Sequence, residues 1–258
     1  MTARRLADLL PPLAFGLAVL ALWEAGVGLL HVPAIILPPP SAIAIRFFTS
    51  IPTLAADFRQ TIKGVLAGYA VGCVSGLVVA VLVDRSQFLQ RGLLPLGNLV
   101  SALPIVGIAP IMVMWFGFDW PSKAAVVVVM TFFPMLVNTV AGLESANAME
   151  RDLMKTYAAD YWQTLIALRL PAALPFVFNA LKINTTLAMI GAIVAEFFGT
   201  PIVGLGFRIS TEVGHLSIDM VWAAILVAAV TGSAFYALVA LIERRVTFWH
   251  ASFRARGA

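Results

Sequence analysis

The chain has 258 residues, of which 61% are hydrophobic and only 12% are charged, and its formal net charge is +4. Soluble domains carry about a quarter charged residues, so the composition excludes a soluble globular protein and predicts a single all-α membrane domain over residues 1–258. The lone Cys73 excludes an intramolecular disulfide, and the sequence offers neither a metal-ligand cluster nor a basic patch interleaved with aromatics for nucleic acid.

The first predicted membrane span covers residues 12–30, after Arg4 and Arg5. The run is too long for the apolar part of a signal peptide, and small residues do not precede a cleavage point, so we expect a retained helix. Glu24 is predicted at the membrane interface, with pairing inside the bundle as the alternative. Residues 31–60 are polar enough to leave the membrane, and Ser41 is the predicted N-cap of a short external helix.

The second predicted span, residues 61–83, has a glycine at every fourth position: Gly64, Gly68, Gly72 and Gly76. Residues four apart lie on one face of a helix, and small residues there let a second helix approach closely. The spacing therefore predicts tight packing against another helix of the same chain.

The third predicted span, residues 92–116, contains three prolines and the polar residues Asn98 and Ser101. Irregular polar helices persist in a bilayer only where they face protein or a water-filled cavity. We therefore interpret Asn98 and Ser101 as candidate residues of a translocation pathway.

The fourth and fifth predicted spans, residues 121–143 and 174–198, also carry polar side chains. The candidate pathway residues here are Thr131, Asn138, Asn184 and Thr185. Polar residues inside a membrane are functional candidates, but Asn and Thr also serve as hydrogen-bonding links between helices. Lys182 lies near the end of its span and is predicted to extend towards the interface.

The longest polar interval, residues 144–170, separates these two spans. Leu153, Tyr157, Tyr161 and Leu165 recur every four residues, which predicts one continuous apolar helix face. We interpret the interval as an exposed amphipathic helix bound by a soluble partner. The alternative is a helix that packs on its own membrane domain or lies among the lipid headgroups.

An external segment, residues 199–218, precedes the sixth predicted span, residues 220–242. Glu196 and Arg208 are predicted to pair across an external gate, unless both are solvated. With both termini in the cytoplasm, eleven of the seventeen Lys and Arg residues fall in inside segments and five outside. The positive-inside rule favours this orientation.

The 144–170 interval resembles the EAA loop of the membrane subunit of ATP-binding-cassette (ABC) importers. Asp152-Leu153-Met154 stands at the E-A-A positions, Ala158 at the glycine and Leu170-Pro171 at the closing L-P. Because alanine lacks the positive-φ freedom of glycine, we expect this turn to be more helical than usual.

Other phrases extend the resemblance over nearly the whole chain, to permeases of the nitrate/sulfonate/taurine type. They are L-P-P-P-S at 37–41, P-x-x-G-x-x-P at 104–110 and W-F-G at 115–117. The resemblance implies a type I importer permease with six transmembrane helices and a cytoplasmic coupling helix between the fourth and fifth. It also implies a multi-pass protein of the bacterial cytoplasmic (inner) membrane.

The implied partners are a second copy of the chain, a cytoplasmic ABC ATPase dimer and an extracytoplasmic substrate-binding protein. The sequence contains no G-x-x-x-x-G-K-[ST] motif, so ATP and Mg would be bound by the ATPase, and this chain would be neither an enzyme nor a cofactor-binding protein. The residues expected to contact the ATPase are Asp152, Leu153, Tyr157, Ala158 and Trp162.

The expected substrate is a small organic nutrient such as a pyrimidine thiamine precursor, a riboflavin-like compound or a sulfonate. The main alternative is a secondary transporter or channel that works without an ATPase, which would show repeated halves or a charge relay. An enzyme would need a clustered catalytic set, whereas the three histidines are scattered along the sequence.

Overall fold

The structure is a computed structural model that describes residues 3–101, 103–199 and 202–248, without the side chains of residues 3–9, Asn98 and Ser101. All regular elements in these ranges are helices, as the composition predicts. They are α1 (Ala3–Leu29), α2 (Pro40–Thr49), α3 (Ile51–Arg85), α4 (Gln87–Ser101), α5 (Ile105–Phe116), α6 (Trp120–Glu144), α7 (Ala148–Thr156), α8 (Tyr161–Thr164), α9 (Leu170–Phe197), α10 (Leu205–Gly214) and α11 (Ile218–Val246). A π-helical turn, Leu165–Arg169, joins α8 to α9.

Five helices are long and apolar enough to cross a membrane: Leu10–Leu29, Ile51–Arg85, Trp120–Glu144, Tyr161–Phe197 and Ile218–Val246. They coincide with the predicted first, second, fourth, fifth and sixth spans. The second begins earlier than predicted, because residues 51–60 continue its helix. At about 1.5 Å per residue, the 35 residues of α3 extend about 52 Å, so they exceed a hydrocarbon layer about 30 Å thick.

The third predicted span consists of two separate helices, α4 and α5, as its prolines indicate. Pro104 has no N–H for helical hydrogen bonding and restricts the residue before it, and the chain is extended there before α5 begins. Leu93 of α4 packs beside Val83, whereas Ala109 of α5 packs against Val126 and Ala195. The two short helices therefore follow one another along α6.

The core lies where α3, α6 and α9 pack together, and the glycines of α3 allow the close approach to α6. A Cβ atom added at Gly68 would lie 2.5 Å from Val127 Cβ and 2.6 Å from the Ala124 carbonyl oxygen. Both distances are below any normal contact. The predicted tight packing of this face within the same chain is confirmed.

Helix α1 lies at the edge of the bundle and is mostly exposed. The Glu24 carboxylate accepts hydrogen bonds from the Ser41 N–H at 3.0 Å and from its hydroxyl at 2.7 Å. Glu24 is exposed and bonded to the start of α2, and its place at the membrane interface stays a prediction. The prediction of Ser41 as the N-cap is wrong, because the N-cap is Pro39. Ser41 lies in the first turn of α2, where N–H groups need acceptors from outside the helix.

Candidate functional site

Helix α7 stands away from the bundle and buries none of its residues. Asn147 caps it, and the Asn147 side chain accepts a hydrogen bond from the Met149 N–H at 3.1 Å. Met149, Leu153 and Tyr157 are 78%, 54% and 75% exposed. A short helix that shows large apolar side chains to solvent is a typical surface for a partner protein.

The end of α7 is closed by a residue in the left-handed conformation, Ala158, with φ of +51°. The Ala158 N–H donates to the Lys155 carbonyl at 2.9 Å, and the Ala159 N–H donates to the Met154 carbonyl at 3.0 Å. This pair of bonds is a Schellman motif, which commonly has glycine at the left-handed position. The expectation that alanine makes this turn more helical is wrong. The left-handed conformation costs a non-glycine residue about 1–2 kcal/mol, and the two hydrogen bonds offset that cost.

The predicted continuous apolar face is also wrong. Leu153 lies on α7 and Tyr157 follows its last residue, whereas Tyr161 begins α8 and Leu165 is 2% exposed within the bundle. Four-residue spacing places side chains on one face only while a single helix continues. The break at 157–160 therefore divides the set into exposed and buried members.

The segment that follows is attached to the bundle through Asp84 at the end of α3. Arg169 donates to both Asp84 carboxylate oxygens, at 2.8 and 2.5 Å, and the Tyr161 hydroxyl donates to one of them at 2.9 Å. Arg169 Nε also donates to the Leu143 carbonyl at 3.0 Å. These bonds link α3, α6 and α9 beneath α7. Sequence reasoning missed them, although opposite charges at the ends of two spans were a usable signal.

The five predicted coupling residues are mostly exposed. Asp152 pairs with Lys155 at 2.8 Å, and the hydrogen bond from Lys155, with its charge, lowers the pKa of the Asp152 carboxyl. Leu153, Tyr157 and Trp162 are exposed, with the Arg85 guanidinium 5.7 Å from the Trp162 ring centroid. Their contact with an ATPase stays a prediction.

The predicted pathway residues lie mostly inside the helix packing. Thr131, Asn184 and Thr185 are fully buried, and Asn184 Nδ2 donates to the Thr131 carbonyl at 2.8 Å and to Cys73 Sγ at 3.2 Å. Half-buried Asn138 donates to its own helix. The side chains of Asn98 and Ser101 lie outside the part that the structure describes. A pathway role for these residues stays a prediction.

A buried polar network, the Glu196 network, lies at the opposite end of the bundle from α7. Glu196 is 2% exposed and accepts from the Thr61 hydroxyl at 2.8 Å and from the Gly206 N–H at 2.7 Å. Arg208 pairs with Asp57 at 2.8 Å, so the predicted pairing of Arg208 with Glu196 is wrong. Asp57 was missed because residues 31–60 were predicted to lie outside the membrane, whereas residues 51–60 belong to α3 and bury Asp57.

The same network holds the start of α10. The Gly204 N–H donates to Asp57 and the Leu205 N–H donates to the Thr61 hydroxyl, both at 2.9 Å. Gly204 has φ of +147°, which favours glycine, and a Cβ there would lie 2.7 Å from the Glu196 carboxyl carbon. The N-terminus of α10 is therefore bound to α3 and α9. These bonds provide acceptors for the N–H groups that lack a partner at the start of a helix.

Two lysines, the buried Lys123 and the partly buried Lys182, add polar contacts within the bundle. Lys123 donates to the Phe118 carbonyl at 2.6 Å and to the Gly199 carbonyl, which joins the start of α6 to the end of α9. Lys182 pairs with Glu243 of α11 at 2.7 Å. Glu243 lies in the last turn of α11, so the prediction that Lys182 extends towards the interface stays a prediction.

The chain combines several apolar spans, a polar network that joins their ends and a protruding helical segment. These features define a polytopic α-helical membrane subunit. The family described as the binding-protein-dependent transport system inner membrane component matches residues 68–248. The chain belongs to this family and is an ABC importer permease of the nitrate/sulfonate/taurine type. Members of this family are membrane subunits of transporters rather than enzymes.

Three curated relatives show how far the similarity extends. The riboflavin transport system permease protein of Chloroflexus aurantiacus is 31% identical over 91% of this chain and 88% of its own length. The formylaminopyrimidine transport permease protein of Halalkalibacterium halodurans is 31% identical over 93% of this chain and 96% of its own length. The putative aliphatic sulfonates transport permease protein of Bacillus subtilis is 28% identical over 91% and 86%.

Proposed function

We propose that this chain is the permease subunit of an ATP-driven, binding-protein-dependent importer and forms its translocation pathway. Residues 1–258 form one transmembrane domain that crosses the membrane six times, with α4 and α5 together as the third crossing. The observation that carries the proposal is α7: an unburied helix with exposed Leu153 and Tyr157, on a base held by Asp84 and Arg169.

In this proposal α7 is the cytoplasmic coupling helix and docks in a groove of the ABC ATPase. Asp152, Leu153, Tyr157, Ala158 and Trp162 are the contacts. The ATPase binds ATP and Mg, and its closure moves α7. Because Arg169 and Asp84 link the segment after α7 to α3, this displacement reaches the packed helices rather than being lost in a flexible loop.

The same proposal orients the molecule in the bacterial inner membrane. Both termini and the 144–170 segment face the cytoplasm, and the Glu196 end faces outward, where a substrate-binding protein docks. A second copy of the chain completes the pathway. The excess of Lys and Arg in the proposed inside segments supports this orientation.

We further propose that the transported solute is a small organic nutrient. Relatives that cover most of this chain are named for transport of riboflavin, formylaminopyrimidine and aliphatic sulfonates. Their similarity to this chain is close to equal, so they support a substrate class and not one compound.

Tyr157→Asp tests the coupling role. Tyr157 is 75% exposed, so the substitution leaves the bundle folded, but it places a charge in the docking surface. Loss of a central aromatic contact costs about 2 kcal/mol, which is about a thirtyfold weaker ATPase complex. We expect ATP-dependent uptake into proteoliposomes with the complete complex to fall at least tenfold.

Glu150→Gln is the matched control, because Glu150 is an exposed polar residue on the same helix. Its uptake should stay close to that of the unmodified chain. Normal uptake by the Tyr157→Asp variant would contradict the coupling role. Solute crossing without ATP hydrolysis, with no ATPase bound to the purified chain, would instead support a secondary transporter or channel.

A further inference from the structure

A cleft of about 560 Å³ opens between α9, α10 and α11, away from the coupling segment and beside the Glu196 network, since its lining residue Ile209 follows Arg208. Its walls are mainly apolar, and Ile190 and Ile209 lie on opposite sides. Three polar side chains also line it: Thr186 from α9, and Ser233 and Tyr236 from α11. Clefts of this size with apolar walls and a few polar groups typically bind small molecules.

The polar groups of the cleft lie deep in the membrane-spanning region. Thr186 is close to the midpoint of Leu170–Phe197, and Ser233 is next to the midpoint of Ile218–Val246. With a rise of about 1.5 Å per residue, all three polar residues lie within about 6 Å of the midpoints of their helices. That depth is inside a hydrocarbon layer about 30 Å thick.

Within the described chain, none of these three side chains makes a hydrogen bond. Some hydroxyls in the spans are satisfied by their own helices: Ser75 donates to the Val71 carbonyl at 2.6 Å, and Thr231 donates to the Val227 carbonyl at 2.7 Å. An unpaired polar group in hydrocarbon is costly. The three side chains are exposed in the single chain, so they are accessible to an occupant, and their hydroxyls favour a polar occupant over a lipid chain.

The neighbouring groove on the other side of α11 provides a contrast. It is lined by apolar residues such as Phe47, Phe58 and Leu226, and its one hydroxyl, that of Thr231, is already bonded within the helix. A lipid chain satisfies such a surface completely. A lipid chain in the cleft between α9, α10 and α11 would leave three hydroxyl groups unpaired.

None of the described residues that line the cleft carries a charge. A charged solute there would lose its hydration without a counter-charge, which is unfavourable at this depth. An uncharged ring compound would instead contact the isoleucines and the Tyr236 ring and exchange hydrogen bonds with the three hydroxyls.

We propose that this cleft is a substrate-contacting site of the permease itself, for an uncharged, hydrogen-bonding ring solute. The inference rests on the proposed importer function and narrows its substrate class. Thr186, Ser233 and Tyr236 supply the hydrogen bonds. Gly232 also lines the cleft, and a Cβ added there would make only an ordinary contact, at 3.6 Å, with the Met189 side chain, so a larger side chain would have to occupy the cleft itself.

The test uses the complete complex in proteoliposomes, with riboflavin and formylaminopyrimidine as uncharged probes and taurine as a zwitterionic probe with two ionised groups. Each probe is supplied on its own binding protein. The double variant Thr186→Val/Ser233→Ala removes two hydroxyls at nearly constant volume, and Gly232→Leu fills the cleft. Thr231→Val is the matched control, because its hydroxyl lies on α11 but faces the other groove.

We expect at least one uncharged probe to be taken up, and the double variant and Gly232→Leu each to lower that uptake about tenfold or more. ATP hydrolysis should still respond to the loaded binding protein, and Thr231→Val should resemble the unmodified chain. That combination separates a site in the pathway from a defect in folding or coupling.

Three results would overturn the proposal. The first is uptake within twofold of normal in both cleft variants. The second is transport of taurine alone by the unmodified complex. The third is loss of the dimer in Gly232→Leu, measured by light scattering, which would assign the cleft to contact with a second copy. A different result would overturn the importer function but leave the proposed site standing. In that case, the unmodified complex shows no ATP-linked uptake, riboflavin still enters, and Gly232→Leu blocks its entry.

Discussion

Asp84 illustrates how one residue sets the geometry of a segment far from it in sequence. Its carboxylate receives three hydrogen bonds, two from Arg169 and one from Tyr161. The side chain is 5% exposed and that of Arg169 15% exposed. A partner removed from such a pair leaves the other charge poorly solvated, which is far more costly than the loss of an exposed ion pair.

We therefore expect Asp84→Asn to lower the free energy of unfolding by about 3 kcal/mol, measured by thermal unfolding of the purified chain in detergent. Asp152→Asn is the control, since it breaks an ion pair whose two side chains are 78% and 71% exposed. Its unfolding temperature should be unchanged. Equal shifts in the two variants would show that the Asp84 pair does not hold the segment in place.

At the scale of a helix, the glycine face of α3 determines how close α3 lies to α6. Gly64, Gly68, Gly72 and Gly76 all face α6, and a Cβ at Gly76 would lie 2.7 Å from the Phe132 carbonyl oxygen. In a bilayer there is little hydrophobic force between helices, so close van der Waals packing provides much of the stability. A methyl group on this face therefore separates the two helices along their whole contact.

Gly68→Ala should reduce the stability of the folded permease by about 1–3 kcal/mol through overpacking. The measurement is the fraction of folded protein that remains after heating in detergent. Gly16→Ala is the matched control in α1, where an added Cβ meets nothing within 4 Å, and it should behave normally. A neutral Gly68→Ala would mean that the contact between α3 and α6 is looser than the structure has it.

At the scale of the whole molecule, the proposed orientation places α7 and the Glu196 network on opposite sides of the membrane. Cys73 is the only cysteine of the chain and is 5% exposed. Its sulfur accepts from Asn184, so Cys73→Ser keeps an acceptor there and provides a cysteine-free background. Met149 is 78% exposed, and the His215 side chain is 67% exposed.

In that background we expect a membrane-impermeant maleimide to label the His215→Cys variant in intact spheroplasts. The Met149→Cys variant should be labelled only after lysis. The readout is the labelled fraction on a gel, with both variants labelled fully in lysed cells. Labelling of Met149→Cys in intact spheroplasts would reverse the orientation, and α7 would then be out of reach of a cytoplasmic ATPase.

The membrane class, the positions of five spans and the close-packed glycine face could all be read from the sequence. Each depends on a local pattern: a run of about 20 apolar residues crosses a bilayer, and a four-residue repeat lies on one helix face. The resemblance to ABC importer permeases was also readable, because its phrases are short and contiguous.

The tertiary structure alone decided how charges pair and where α7 ends. Asp57 meets Arg208, Asp84 meets Arg169 and Lys182 meets Glu243 across separations of 61 to 151 residues. Such pairs depend on how each helix is rotated and how far it extends, which no local pattern reports. Ala158 ends α7 although alanine by itself prefers the helical conformation. The hydrogen bonds of the turn and the anchored segment after it outweigh that preference, and the anchoring depends on tertiary contacts.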